Sequence, residues 1–374
     1  LQVSGISLHN YRNYQEAQVD FHPFLNIITG RNAQGKTNIL EAIFYTVTGK
    51  SHRTGFDTEL IFWGEKFFRI ILNGERFSGR VKIEISTRSD GKKILKVNGQ
   101  PRKKLSDLIG IINAVLFSPE DMMLVKGGPS VRRRYLDIEI SQVSSYYCHC
   151  LANYNRILLQ RNSLLKAVRE GKESDELLGV WDKQLAEYGV TIIRKREEVI
   201  KKLLPLAQKI HLNITEGNEE LNLKYIPSIN LDIETSKSSD EDNFLKRLKE
   251  NRKVEILKGI TVSGPHRDDI DIRIGNINVK AFGSQGQQRT GALSMKLSEI
   301  EFMKNETGEY PVLLLDDVMS ELDTNRRKYL LKVVKGKVQT FVTTTGIKDV
   351  FDTVIENSRI FEAQSGIINI VQEG

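Results

Sequence analysis

The sequence predicts an α/β fold with a largely helical second lobe. Three observations carry this. An apolar run over 24–29 leads directly into a glycine loop, Gly30-Arg31-Asn32-Ala33-Gln34-Gly35-Lys36-Thr37, and a helical pattern follows it. Near the other end, Pro311-Val312-Leu313-Leu314-Leu315 is an apolar run that stops at two acids, Asp316 and Asp317. Between them, from about 119 to 258, strand patterns give way to long helical ones. Continuous apolar runs are how fully buried parallel strands read, and apolar spacings of three and four are those of helices with one face inside.

Taken in order, residues 1–29 are β-rich: 3–8 and 17–21 alternate, and 25–29 feeds the loop. Ile39, Leu40, Ile43, Phe44 and Val47 place a helix after the loop, ending near Gly49. Strands are expected over 67–72, 79–87 and 93–97, with turns at Asp90-Gly91 and Asn98-Gly99. A buried run over 111–117 leads to Ser118-Pro119-Glu120-Asp121, the signature of a helix start. Helical patterns over 143–169 and 175–210, joined by a short polar break, predict an antiparallel hairpin. Pro205 predicts a kink or an end in the second helix. Residues 234–243 read as a mobile loop and 244–258 as a charged helix ending at Gly259. Strands return at 260–262 and 270–279, and a glycine turn over 283–286 opens a helix to about Lys304. The acid-tipped strand 312–315, a helix over 325–334 and a strand over 338–343 complete the pattern. The lobes are therefore drawn as 1–118 with 306–374, and 119–305.

Of the 374 residues, 28% are charged and 39% hydrophobic, an ordinary globular composition. No apolar run approaches the roughly 20 residues of a membrane helix. Residues 1–20 show no basic start followed by an apolar stretch, so no signal peptide is expected. Cys148 and Cys150 lie two apart on a predicted helix, facing different sides, with no second cluster to complete a zinc site. They fit a reduced interior and a cytoplasmic protein with no membrane partner. The net charge of +7 favours an anionic partner.

The strand, loop and helix order gives the loop its chemistry. Glycines let successive N–H groups turn inward onto phosphate oxygens, and the helix N-terminus adds partial positive charge. The segment from Gly30 to Asn38 would cradle a nucleotide, with Lys36 on its β- and γ-phosphates and the Thr37 hydroxyl on Mg²⁺. At the tip of the apolar strand, Asp316 suits the metal shell and Asp317 suits orienting or deprotonating an attacking water. Ser284, Gly286 and Gln287 form a second anion site at a helix start. The loop already surrounds its nucleotide, and a second copy of the chain could use this site. Basic clusters occur at Arg53, Arg102-Lys103-Lys104, Arg132-Arg133-Arg134, Arg194-Lys195-Arg196, Lys201-Lys202 and Arg326-Arg327-Lys328. Singly, each fits a solvated face; together they favour DNA phosphates, although Arg132 to Arg134 can instead fix the helical lobe.

The order of glycine loop, helical insert, Ser-x-Gly-Gln, apolar-Asp-Asp and Ser320-Glu321-Leu322-Asp323 resembles the ABC-type P-loop ATPases, nearest their SMC branch. Two stretches narrow the resemblance. Residues 119–137, Pro-Glu-Asp-Met-Met-Leu-Val-Lys-Gly-Gly-Pro-Ser-Val-Arg-Arg-Arg-Tyr-Leu-Asp, and 315–323, Leu-Asp-Asp-Val-Met-Ser-Glu-Leu-Asp, are similar to the two signatures of the RecF family of bacterial recombination mediators. Residues 8–14 and 160–166 are also similar to that family. The resemblance implies an ABC/SMC-type head that binds ATP between two head-to-tail copies. Ser284 of one copy would cap the γ-phosphate held by Lys36 of the other, Asp323 would lie on the loop joining the two sites, and Arg12 would reach the phosphates. It further implies a dimer on duplex DNA and duplex–single-strand junctions, acting with RecO and RecR to load RecA, with weak, DNA-stimulated ATP hydrolysis.

Three departures from the general ABC pattern argue against fast turnover. The signature reads Ser-Gln-Gly-Gln; Thr343-Thr344-Thr345 stands where relatives carry a sensor His; and Phe117-Ser118 lacks a following glutamine loop. Thr345 can still offer a hydroxyl to a γ-phosphate, but a hydroxyl cannot take a proton as His can. The rival expectations are a transporter ATPase subunit, which the long helical insert opposes, and a non-hydrolysing scaffold dimerised by ATP.

Overall fold

The computed structural model describes residues 1–231, 236–334, 336–346 and 357–373. The chain divides into two compact units, 1–121 with 293–374, and 122–292. The later division falls inside the helix Gln285–Thr307, so residues 293–305 go with the first unit rather than with the helical lobe.

In the first unit one six-stranded sheet carries the glycine loop. Leu25–Thr29 lies between Thr340–Thr344 and Ser358–Gln364, parallel to both. Beyond Thr340–Thr344 come Val312–Asp316 and then Ala114–Phe117, also parallel, while Ile367–Glu373 closes the other edge antiparallel. Ile27, Ile28, Leu313, Leu314 and Phe341 are fully buried, as the apolar runs require. The register sets Asp316 opposite Thr343, and Thr343 opposite Ile28. The last two strands, Ser358–Gln364 and Ile367–Glu373, are absent from the expected pattern.

The second six-stranded sheet of this unit is antiparallel, in the order Tyr14–Asp20, Gln2–Tyr11, Phe67–Arg76, Gly79–Arg88, Lys93–Val97, Gln100–Arg102. Phe68, Ile70 and Leu72 alternate inward, as do Val81, Ile83 and Ile85. The tight Asn98-Gly99 turn works because both residues take positive φ, 50° and 79°. The helix Lys36–Thr48 touches strands of both sheets and is buried almost all round. A helix enclosed on every side can hold charged groups only if they are paired. Lys36 and Glu41 are two such groups.

The second unit contains the helices Pro129–Val143, Ser145–Arg169, Leu178–Ile214 and Lys237–Lys258, with a small antiparallel sheet of Leu221–Ile226, Asp269–Ile274 and Ile277–Asn278. Ser145–Arg169 and Leu178–Ile214 form the antiparallel hairpin: Tyr147 bonds Arg196 at 3.0 Å, and Arg161 bonds Asp182 at 2.7 Å. Arg161, fully buried, also reaches Glu255 and Thr261, each at 2.7 Å. Arg132 pairs with Asp269 at 2.6 and 2.9 Å, and Arg133 donates to the Asp268 carbonyl at 2.8 Å, so this basic run does fix the helical lobe.

Two expectations for this unit are corrected and one is narrowed. Of the kink or end expected at Pro205, the end is excluded, since the helix continues to Ile214. The bond that proline forfeits would go to the carbonyl of Lys201, an exposed residue, where water can replace it. Residues 237–243 are helix rather than loop, capped by the Ser236 hydroxyl accepting from Ser239 N–H, while 234 and 235 lie outside the described residues. Residues 260–262 form no strand. Their backbone bonds go to side chains instead, Thr261 N–H to Asn162 and Val262 N–H to Glu255, each at 2.8 Å.

Candidate functional site

The glycine loop is held from beneath by two turns of its own unit. Asn13 donates to the Gln34 carbonyl at 3.0 Å and Tyr14 to the Gly35 carbonyl at 3.1 Å. From the other side, Ser365 N–H donates to Gln34 Oε1 at 2.7 Å. Gly30, at φ 147°, could not carry a side chain, since a Cβ would lie 2.4 Å from the Ala363 carbonyl oxygen. Gly35, at φ 112°, would place one against Asn13 and the Tyr14 hydroxyl. Arg31, Asn32 and Ala33 form the exposed crest. Gly35 caps the helix that follows, whose first turn carries no acid of its own. Lys36 is 4% exposed and donates to the carbonyls of Gly30 and Arg31 at 2.8 and 3.2 Å.

Beside the loop stand the two acids. Thr37 Oγ1 and Thr343 Oγ1 each donate to Asp316 Oδ1 at 2.8 Å. Thr343 Oγ1 in turn accepts the Asp317 N–H at 2.9 Å. Burial raises the Asp316 pKa; the hydroxyls of Thr343 and Thr37 pull it down, and neighbouring Asp317 pushes it up again. Asp317 takes the left-handed conformation, φ 51°, which turns the chain sharply out of the strand. Its carboxylate makes no hydrogen bond or ion pair among the described residues. Thr37 and Asp316 are hard oxygen donors, which suits Mg²⁺. Among the described residues no group of three or more His, Cys, Asp or Glu could hold a metal alone. A cation here would therefore complete its shell with phosphate oxygens and water, as Mg²⁺ does. Thr345 is exposed beyond the strand end, and the hydroxyl that bonds the acids is that of Thr343.

A buried carboxylate lies behind the loop. Glu41, fully buried, accepts from Arg12 at 2.7 and 2.9 Å and from Ser51 at 2.5 Å, with Arg53 at 3.5 Å. Burial would raise its pKa, but the bonds from Arg12 and Ser51 and the two guanidinium charges hold it below the usual range. Arg53 also donates to Asn38 at 2.8 Å, and Asn38 donates to Asn13 at 2.7 Å. Arg12 and Arg53 thus both belong to the loop's surroundings, although Arg53 is expected from sequence on DNA.

In the second unit Ser284 and Gly286 are exposed at the start of Gln285–Thr307. Ser284 N–H donates to Gln287 Oε1 at 2.9 Å, and Gln287 N–H donates to Ser284 Oγ at 3.1 Å, a reciprocal cap. In the first unit, Asp323 caps the helix Thr324–Val334 through Arg326 N–H at 2.9 Å and pairs with the Arg326 guanidinium. Of the other DNA candidates, Arg102, Lys103 and Lys104 are exposed at the edge of the antiparallel sheet. Arg194 instead pairs with buried Asp240 at 2.6 Å, and Lys195 with Glu198 at 3.0 Å.

Asn13 and Glu41 escape a reading of the sequence, and within Thr343-Thr344-Thr345 that reading turns to Thr345 where the structure uses Thr343. The one available signal for Glu41 is an acid set within the apolar stretch from Ile39 to Tyr45.

The comparisons with known proteins bear on this geometry. Residues 2–369 match the family model described as the RecF/RecN/SMC N terminal domain. The DNA replication and repair protein RecF of Acetivibrio thermocellus is 46% identical, covering 94% of this chain and 95% of its own. That of Alkaliphilus oremlandii is also 46% identical, covering 98% and 100%. A solved structure of the recombination mediator protein RecF with ATP, in the RecFOR pathway, is 38% identical over 99% of this chain and 98% of its own, with a TM-score of 0.92. An Smc head bound to the C-winged helix domain of ScpA, 16% identical with a TM-score of 0.57, shares the fold. These likenesses favour the repair reading over a transporter subunit. The chain belongs to the RecF family of DNA replication and repair proteins, ATPases of the SMC-like type.

Proposed function

We propose that the chain is an ATP-controlled clamp on DNA in recombinational repair. It would act in the cytoplasm with RecO and RecR to help load RecA at single-strand gaps and stalled forks. The observation that carries the reading is the meeting of Thr37, Asp316 and Thr343 at the mouth of the glycine loop. The relative described with ATP in the RecFOR pathway supports the choice of nucleotide and pathway.

The chain's own groups then have distinct tasks. The N–H groups from Gly30 to Asn38, Lys36 and the helix start bind the phosphates. Thr37 and Asp316 hold Mg²⁺, which supplies charge to the phosphoryl oxygens. Asp317 accepts the proton of the attacking water; its backbone is fixed by Thr343, which leaves the carboxylate free for this task. Ser284, Gly286 and Gln287 face the nucleotide of a second copy, so two copies close head to tail, with Asp323 on the loop between the sites. Arg12 and Arg53 leave one guanidinium charge in excess over Glu41 near the phosphates. Thr343 in place of a His cannot receive a proton, which suits a weak ATPase whose slow hydrolysis releases DNA.

Duplex binding measured across a salt series tests the clamp, using Asp317→Asn to keep ATP intact. Each neutralised phosphate contributes about −0.9 to the slope of log affinity against log salt. Joining two copies on one duplex should roughly double that slope with ATP relative to ADP and raise affinity with it. Equal slopes and affinities in both nucleotides would remove the clamp. In the wild-type chain, multiple-turnover phosphate release separates this reading from a scaffold that only binds ATP.

A further inference from the structure

We infer that Glu219 is a positioning residue for Ser284, one that fixes the backbone of the serine through the Gln287 amide. The inference rests on the reading that Ser284 serves the nucleotide of a second copy. Its starting point is the reciprocal cap. Ser284 Oγ already accepts the Gln287 N–H at 3.1 Å, and the Ser284 N–H is already taken by Gln287 Oε1 at 2.9 Å. The exposed hydroxyl is left with its proton to give, which is what an anionic oxygen arriving from outside requires.

The Ser284 N–H half of this cap holds only while the Gln287 amide keeps its oxygen toward Ser284. A side-chain amide has one accepting end and one donating end, and either can face a given neighbour. Glu219 decides the matter: its Oε1 accepts from Gln287 Nε2 at 2.8 Å. A carboxylate can only accept, so the NH₂ must face Glu219 and the oxygen must face Ser284. Turned over, the amide would oppose oxygen to carboxylate and NH₂ to N–H, losing both bonds.

The position of Glu219 is itself set by the end of the long hairpin helix. It follows the turn after Leu178–Ile214, in which Glu216 and Gly217 take φ of 53° and 82°. Thr215 Oγ1 lies 3.4 Å from the Glu219 carbonyl, and His211 Nε2 lies 3.6 Å from Glu219 Oε2. A carboxylate close to an anion-binding helix start opposes the anion by charge alone. Orienting Gln287 gives it a use there. Movement at the end of the hairpin helix would then reach Ser284 through a single amide.

The test exchanges the two ends of this contact and reads ATP-dependent dimer mass, with ATP affinity of the monomer measured alongside. Glu219→Gln can still accept from Gln287 and should dimerise within about threefold of wild type. Glu219→Ala removes the acceptor and should cost about tenfold in the ATP concentration needed. Glu219→Lys offers only donors, turns the amide over, and should cost more. Adding Gln287→Glu to Glu219→Lys supplies acceptors at both ends and should restore dimers, which recovery from a merely misfolded loop would not do. Wild-type dimerisation by Glu219→Lys, or no rescue by Gln287→Glu, overturns the inference. Ser284→Arg separates the two levels. If it blocks dimers while Glu219→Lys does not, only the role of Glu219 falls; if it dimerises normally, the shared-site reading falls as well.

Discussion

The two units handle polar groups in opposite ways. In the first, functional side chains far apart in sequence meet in a largely apolar interior: Thr37, Asp316 and Thr343 join within 2.8 Å on a sheet whose neighbouring residues are fully buried. In the second, Ser284 and Gln287 bond to each other at an exposed helix start, with Glu219 as a further partner, while charged groups pair in the core. On the proposed reading the contrast is that of a site complete enough to bind its own ligand and a half-site whose ligand arrives with another copy.

The core of the second unit offers the largest effect by which to break the comparison. Arg161 is fully buried between Asp182 and Glu255, also buried. Arg161→Met should destabilise that unit by about 3–5 kcal/mol, because removing one partner strands charges in a dry interior. Asp182 keeps Arg252, but Glu255 keeps only a backbone N–H, so most of the loss falls on Glu255. Denaturant unfolding of the variant reads it, and Arg161→Met with Glu255→Gln should recover part of the loss. By contrast Ile27→Val, in the apolar sheet of the first unit, should cost only about 0.5–1.5 kcal/mol. Equal costs for the two would erase the distinction between the cores.

The second prediction sharpens the contrast between a whole site and half of one. Lys36→Met removes the ammonium at the loop and should weaken ATP binding at least about a hundredfold, the worth of a strong charge-assisted bond. Unchanged affinity by calorimetry would mean that the glycine loop of the first unit is not where ATP binds.

How much of this was legible in the sequence follows the same division. The loop strand 25–29, its helix and the strand 93–97 match the expected ranges closely, because contiguous apolar runs and glycines carry local instructions. Lys36, Thr37, Asp316 and Asp317 could be named as candidates for the same reason: each sits in a short motif. Thr343 could not be singled out, since its role comes from a strand register that sets it opposite Asp316, and register is a property of the assembled sheet. Glu41 and Asn13 were hidden likewise, their partners lying 29 and 25 residues away in sequence. In the second unit, Leu221–Ile226 alternates buried and exposed residues, but so short a run between long helices leaves its pairing with Asp269–Ile274 unmarked. Arg194 read as a free cation because nothing in its neighbourhood in sequence announces Asp240.

The smallest effect concerns Thr343, where the first unit's claim to long-range assembly is most exposed to test. Its hydroxyl donates to Asp316 and accepts from the Asp317 N–H, so a single oxygen joins the two acids across neighbouring strands. Thr343→Val keeps the shape and removes both bonds. Thr37 still donates to Asp316, so ATP affinity should stay within about threefold of wild type, while hydrolysis should fall about tenfold, the value of one hydrogen bond in a barrier. The pH profile gives the sign. Burial already raises the Asp316 pKa, and the Thr343 hydroxyl is among the groups that lower it. Without that hydroxyl the carboxylate takes up its proton at higher pH, so the variant should lose activity earlier than wild type as pH falls, with the acidic limb shifted upward. Thr343→Ser keeps the hydroxyl and should restore both rate and limb. A valine variant with the wild-type rate and an unmoved limb would mean that the acids of the first unit rely on local contacts alone.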